Sequence, residues 1–240
     1  MNNIKAIFEY NNNGVKHISN GSYSAAKKAF RAALVVLKEC EDQQQYAMAI
    51  EQKSSCHPSS SPLTIDTCTI PSFRRRKRND DGDIEHYIFR NAVLIDFDPK
   101  SDIDADVSLY QRISACLTAI IIFNLSLASH YNAECYGWST SELGKVVKMY
   151  SKAWKALHND SWLITHHQIY RDTIVLAMLN NMGVIFHKLA NFDKSRCCFK
   201  ALRNVFISKP QGVLELRPDA HNGIMMNVLF GDQPNAASAA

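Results

Sequence analysis

The sequence predicts an all-α fold of packed helical hairpins, and three observations carry that expectation. Residues 11–30, NNNGVKHISNGSYSAAKKAF, and residues 180–199, NNMGVIFHKLANFDKSRCCF, align without a gap. Asn11 falls on Asn180, Asn12 on Asn181, Gly14 on Gly183, Val15 on Val184 and Phe30 on Phe199. Both stretches read as helix, turn and helix, so one structural unit is written twice. Long apolar runs at helical spacing lie between the copies. With 46% apolar and 21% charged residues the chain has the material for a buried core and is not disordered throughout.

The first hairpin is expected within residues 3–52, with helices at 3–19 and from 22 to about 50. In the SNGS turn, Gly21 is suited to the left-handed conformation that ends a helix and Ser22 to capping the next one. Residues 53–83 mix prolines, serines and blocks of opposite charge, which predicts a mobile insertion. HYIFRNAVLI, residues 86–95, is rich in aromatic and β-branched residues and predicts one extended segment whose strand partner the sequence does not identify. The second and third hairpins occupy residues 103–207, with helices expected at 103–131, 142–157 and 162–189 and a last one ending near Ile207. NAECYGWSTSE is expected to connect the first two of these helices. A short helix around residues 220–230 and a flexible tail at 231–240 complete one domain of 240 residues.

The spacing of the repeated residues resembles the tetratricopeptide family, whose unit of about 34 residues sets small and large residues at fixed places on paired helices A and B. In the first unit the matching residues are Tyr10, Gly14, His17, Gly21, Tyr23, Ala26, Phe30, Ala33 and Leu34. In the third they are Leu179, Met182, Gly183, Phe186, Phe192, Ser195 and Phe199. Ile122, Leu125, Ser126, Val146, Tyr150 and Ala153 match in a degenerate middle unit. The resemblance implies a right-handed superhelix whose concave groove, lined by helices A, binds a partner without catalysis. It places a groove-facing asparagine at Asn12, Asn124 and Asn181, beside Asn180, with His130 and His187 at corresponding places further along helices A. An amide both donates and accepts, so a ladder of asparagines suits the backbone of an extended peptide. Asn11, Val15, Ala177 and Asn181 stand where a chaperone-binding subset of the family carries charges, which argues against carboxylate capture.

The expected function is a non-catalytic protein-interaction scaffold with a protein or peptide partner and no cofactor. Its alternative is a nuclear or nucleic-acid-associated adaptor using the basic patch Arg74, Arg75, Arg76, Lys77 and Arg78. Those five charges account for the net +4, leaving the remainder close to neutral, so no broad nucleic-acid-binding face is expected. Seven irregularly spaced cysteines and the absence of a secretory pattern predict an intracellular protein. The apolar run 115–128 is short for a bilayer span and contains Asn124, so a buried helix is expected there and no membrane partner. Cys56, His57 and Cys68 lack the paired spacing and fourth ligand of a zinc site. The acidic run 96–106 has Ser101 and Val107 where a calcium loop needs glycine and glutamate. No phosphate loop or nucleophile elbow is written anywhere, so no enzyme is expected.

Overall fold

The computed structural model describes residues 2–50, 63–69, 87–97, 107–137, 139–158, 168–208, 216 and 218–231. Among them are seven helices and one antiparallel pair of strands, so the fold is all-α with a small β element. The chain divides into two compact units: residues 1–70 with 91–167, and residues 71–90 with 168–240.

The first unit begins with a hairpin of α1 (Asn2–Ser19) and α2 (Tyr23–Ile50). Tyr23, Ala26, Phe30, Ala33, Leu37 and Cys40 are buried along one stripe of α2, at alternating steps of three and four residues that put them on one face. At the turn, Gly21 has φ 73° and the Ser22 N–H donates to the His17 carbonyl at 2.8 Å. That bond spans the last turn and satisfies a carbonyl the helix leaves open, as the SNGS signal predicts. Gly14 is the close-approach residue, since a Cβ there would lie 2.4 Å from the Phe30 ring.

α3 (Val107–Tyr136) and α4 (Thr140–His158) form the second hairpin. The expected connection NAECYGWSTSE is shorter than the sequence suggests, because α3 continues through Asn132–Tyr136 and stops at Gly137, with φ 92°. Ser139 then caps α4, its Oγ accepting from the Glu142 N–H at 3.1 Å. Residues 113–136 of α3 are long and apolar enough to cross a membrane, yet 72% of the 18-residue window that meets that test is buried inside the protein. Ile113, Leu117, Ile120, Phe123 and Leu127 are fully covered, which makes α3 the core helix of its unit.

The mobile insertion expected at 53–83 contains a strand, β1 (Leu63–Thr69), which pairs antiparallel with β2 (Asn91–Phe97). LTIDTCT has β-branched residues at Thr64, Ile65, Thr67 and Thr69, which suit a strand, whereas the flanking prolines and charges predict a mobile insertion. The extended segment thus has a partner, with Ile65 facing Ile95 and Thr67 facing Val93. The remaining residues of the insertion, including the basic patch at 74–78, lie outside the described residues, as does the tail from 232.

The second unit holds α5 (Gln168–Lys188), α6 (Phe192–Ser208) and α7 (Pro218–Gly231). α5 and α6 repeat the first hairpin. A Cβ on Gly183 would lie 2.6 Å from the Phe199 ring, and the Asn191 N–H donates to the Phe186 carbonyl at 2.9 Å. Ala190 stands where the first copy has Gly21 and keeps a left-handed φ of 55°. Phe192 opens α6 at the turn, where it is 40% exposed with its ring edge against His187 at 5.3 Å.

Candidate functional site

In the first unit three asparagines meet the backbone of β2. Asn124 accepts from the Val93 N–H at 2.8 Å and donates to the Val93 carbonyl at 2.7 Å. Asn12 does the same at Ile95, at 3.1 Å and 2.7 Å. Asn11 donates to the Val93 carbonyl at 3.1 Å and to Asn12 Oδ1 at 3.1 Å, and it accepts from Asn124 Nδ2 at 3.0 Å. A primary amide presents a donor and an acceptor side by side, so one side chain closes on both polar groups of one extended residue. The contact imitates a pair of ladder bonds.

The second unit contains the same clamp. Asn227 accepts from the Tyr87 N–H at 3.0 Å and donates to its carbonyl at 2.6 Å. Asn181 accepts from the Phe89 N–H at 2.7 Å and donates to its carbonyl at 3.2 Å. Asn180 donates to the Tyr87 carbonyl at 2.9 Å and to Asn181 Oδ1 at 3.1 Å, and it accepts from Asn227 Nδ2 at 2.7 Å. Each bond of one clamp has its counterpart in the other. Asn11 corresponds to Asn180, Asn12 to Asn181 and Asn124 to Asn227.

The ladder asparagines Asn12, Asn124 and Asn181, with Asn180, therefore engage an extended segment of this same chain. Asn124, Asn180 and Asn181 are fully buried, as a low-exposure amide can be once its donors and acceptor are met. Side chains of the held segment are buried with them, Phe89, Val93 and Ile95 each at 3% exposure or less. Tyr87 lies against α7, where a Cβ on Gly223 would come within 2.1 Å of its ring.

The two histidines do not join the clamps. His130 is fully buried with Tyr150 edge-on at 6.2 Å, inaccessible to any partner, and His187 is exposed in the last turn of α5. Asn11 and Asn227 are clamp members that the ladder reading leaves out. Asn227 has a signal in the sequence: IMMNVLF in α7 repeats the setting of Asn124 in IIFNLSL, an amide enclosed by apolar residues. Such a residue inside an apolar helix needs a buried hydrogen-bond partner. Among the described residues no cluster of His, Cys, Asp or Glu could hold a metal ion. The chain matches no protein-family model, no curated protein and no solved structure.

Proposed function

We propose that the chain is a non-catalytic, tetratricopeptide-like scaffold that holds extended polypeptide by its main chain. Residues 87–95 are the resident occupant, and an extended peptide of a partner protein competes for the clamps. The observation that carries this reading is the duplication of one three-asparagine clamp whose amides are spent on backbone groups and on each other. Main-chain contacts supply affinity whatever the peptide sequence, and pockets for alternate side chains supply selectivity.

Native-state hydrogen exchange on the intact chain tests it. A tethered occupant acts at an effective concentration on the order of millimolar, so competition requires that the segment open separately from the helices. The Phe89, Val93 and Ile95 amides are expected to exchange at a lower opening free energy than the core amides of α3. A synthetic peptide of residues 86–97 should accelerate that exchange, and the same peptide with Val93→Pro, lacking the gripped N–H, should not. Exchange of these amides only through global unfolding would show that the groove never opens and would remove the partner from the reading.

A further inference from the structure

α7 carries a bare face whose counterpart in the first unit is covered by a helix. The gripping asparagines set the equivalence, Asn227 of α7 corresponding to Asn124 of α3. On that register the exposed α7 residues Asp219, Asn222, Met226 and Leu229 fall on Cys116, Ala119, Phe123 and Ser126. All four of those α3 residues have 0% exposure, whereas Met226 and Leu229 are 48% and 59% exposed. α4 packs on α3, with the rings of Tyr150 and Phe123 6.2 Å apart. α4 buries Leu143, Val146, Tyr150, Ala153 and Leu157 on its inner side.

We infer that the Met226–Leu229 face of α7 docks an amphipathic helix of a partner protein, laid as α4 lies on α3. Its apolar residues follow the three-and-four spacing of α4, the pattern of helix-in-groove recognition. One residue must differ in size. Two positions beyond the gripping asparagine, α1, α3 and α5 present Gly14, Ser126 and Gly183, whereas α7 presents Leu229. At Gly14 and Gly183 the facing helix fills the space with Phe30 and Phe199. Leu229 reverses that pairing, so the incoming helix carries alanine or glycine where α4 carries Tyr150. Running antiparallel, it brings its C-terminal turn to the exposed Asp219 at the start of α7. A lysine or arginine in that turn, where α4 has Lys155 and His158, complements the carboxylate.

The probe is a synthetic peptide of residues 139–158 carrying Tyr150→Ala, added to the full chain and followed through the methyl signals of Met226 and Leu229. Saturable shifts of both signals are expected. Met226→Asp or Leu229→Asp should weaken binding at least about tenfold, a penalty of roughly 1.4 kcal/mol. Val35→Asp, an exposed apolar position on α2, should leave it unchanged. Because all three substitutions are on exposed residues, an unaltered melt confirms that the fold is intact. No methyl shift at about 1 mM peptide, or binding indifferent to Met226→Asp, overturns the proposal. So does a dimer in sedimentation that Met226→Asp dissociates, which would assign the face to a second copy. The outcome is independent of what occupies the asparagine clamps.

Discussion

Replacing Asn124 by alanine tests the clamp at a fully buried member. The substitution removes three hydrogen bonds: the one accepted from the Val93 N–H and those donated to the Val93 carbonyl and Asn11 Oδ1. The Val93 carbonyl keeps Asn11 as a donor, so its loss is partial. The Val93 N–H faces the vacated side and is left without its acceptor. At about 0.5–1.5 kcal/mol for each bond, and more for a buried group left unmet, the expected loss is roughly 3–4 kcal/mol. Urea unfolding followed by far-ultraviolet circular dichroism reads this as a lowered midpoint. Hydrogen exchange at the Val93 amide shows whether the loss is local to the segment.

Asn124→Asp sharpens the test because it changes one group without changing the shape. The aspartate can still accept from the Val93 N–H, but it cannot donate, and it buries a charge against the Val93 carbonyl and Asn11 Oδ1. Its folded-state pKa is therefore raised above the ordinary value of about 3.9. A raised carboxylate pKa means that stability is fully present below the unfolded value and is lost as pH rises through the folded one. The Asp variant should be less stable than the Ala variant at neutral pH and recover towards it below about pH 4. An Asn124→Ala unfolding free energy within about 0.5 kcal/mol of the parent's, or an Asp variant with no pH dependence beyond the parent's, would show that water already serves these groups.

Two further outcomes follow from the repeat and a third from burial in α6. Ala190→Gly should stabilise the second unit by about 0.5–1 kcal/mol in thermal melts, because Ala190 sits at φ 55° where a Cβ is strained; a destabilisation would contradict the turn geometry. Gly14→Ala and Gly183→Ala should each cost about 1–3 kcal/mol, since the new methyl would meet Phe30 or Phe199, and a compensating Phe30→Leu or Phe199→Leu should recover part of it. Burial first, and then Cys197, pushes the Cys198 thiol up to about 11 from 9.0. At neutral pH its alkylation should therefore be about a hundredfold slower than that of an unperturbed cysteine, as mass-spectrometric mapping would read.

The hairpins were legible in the sequence because their signals are local. Gly21 ending α1, and the stripe from Tyr23 to Cys40, follow from backbone preference and helical period alone. The asparagines were legible as groove-facing amides suited to an extended backbone, but not as amides whose backbone lies 31 to 140 residues away in the same chain. That assignment depends on where the insertion returns, which no local period encodes. β1 was hidden for a related reason. LTIDTCT is a strand only because β2 lies beside it, and its neighbours Pro62 and Pro71 point to a loop.

Parity along β2 limits how a competitor could enter the first unit. Val93 and Ile95 spend both of their backbone groups on asparagines, so the ladder with β1 falls to the alternate residues Ala92 and Leu94. One edge of β2 is closed by side-chain amides and the other by a strand. A strand closed on both edges offers no template for adding another one. A partner peptide at this clamp must therefore replace β2 rather than extend it. Replacement would expose the β1 backbone as well as the segment. Exchange protection at Asp66 and Cys68, which share the ladder with Leu94 and Ala92, should then fall together with that of Val93 when the competing peptide is added. Protection at β1 that persists while Val93 opens would mean that the peptide binds without displacing the strand, and the clamp would not be its site.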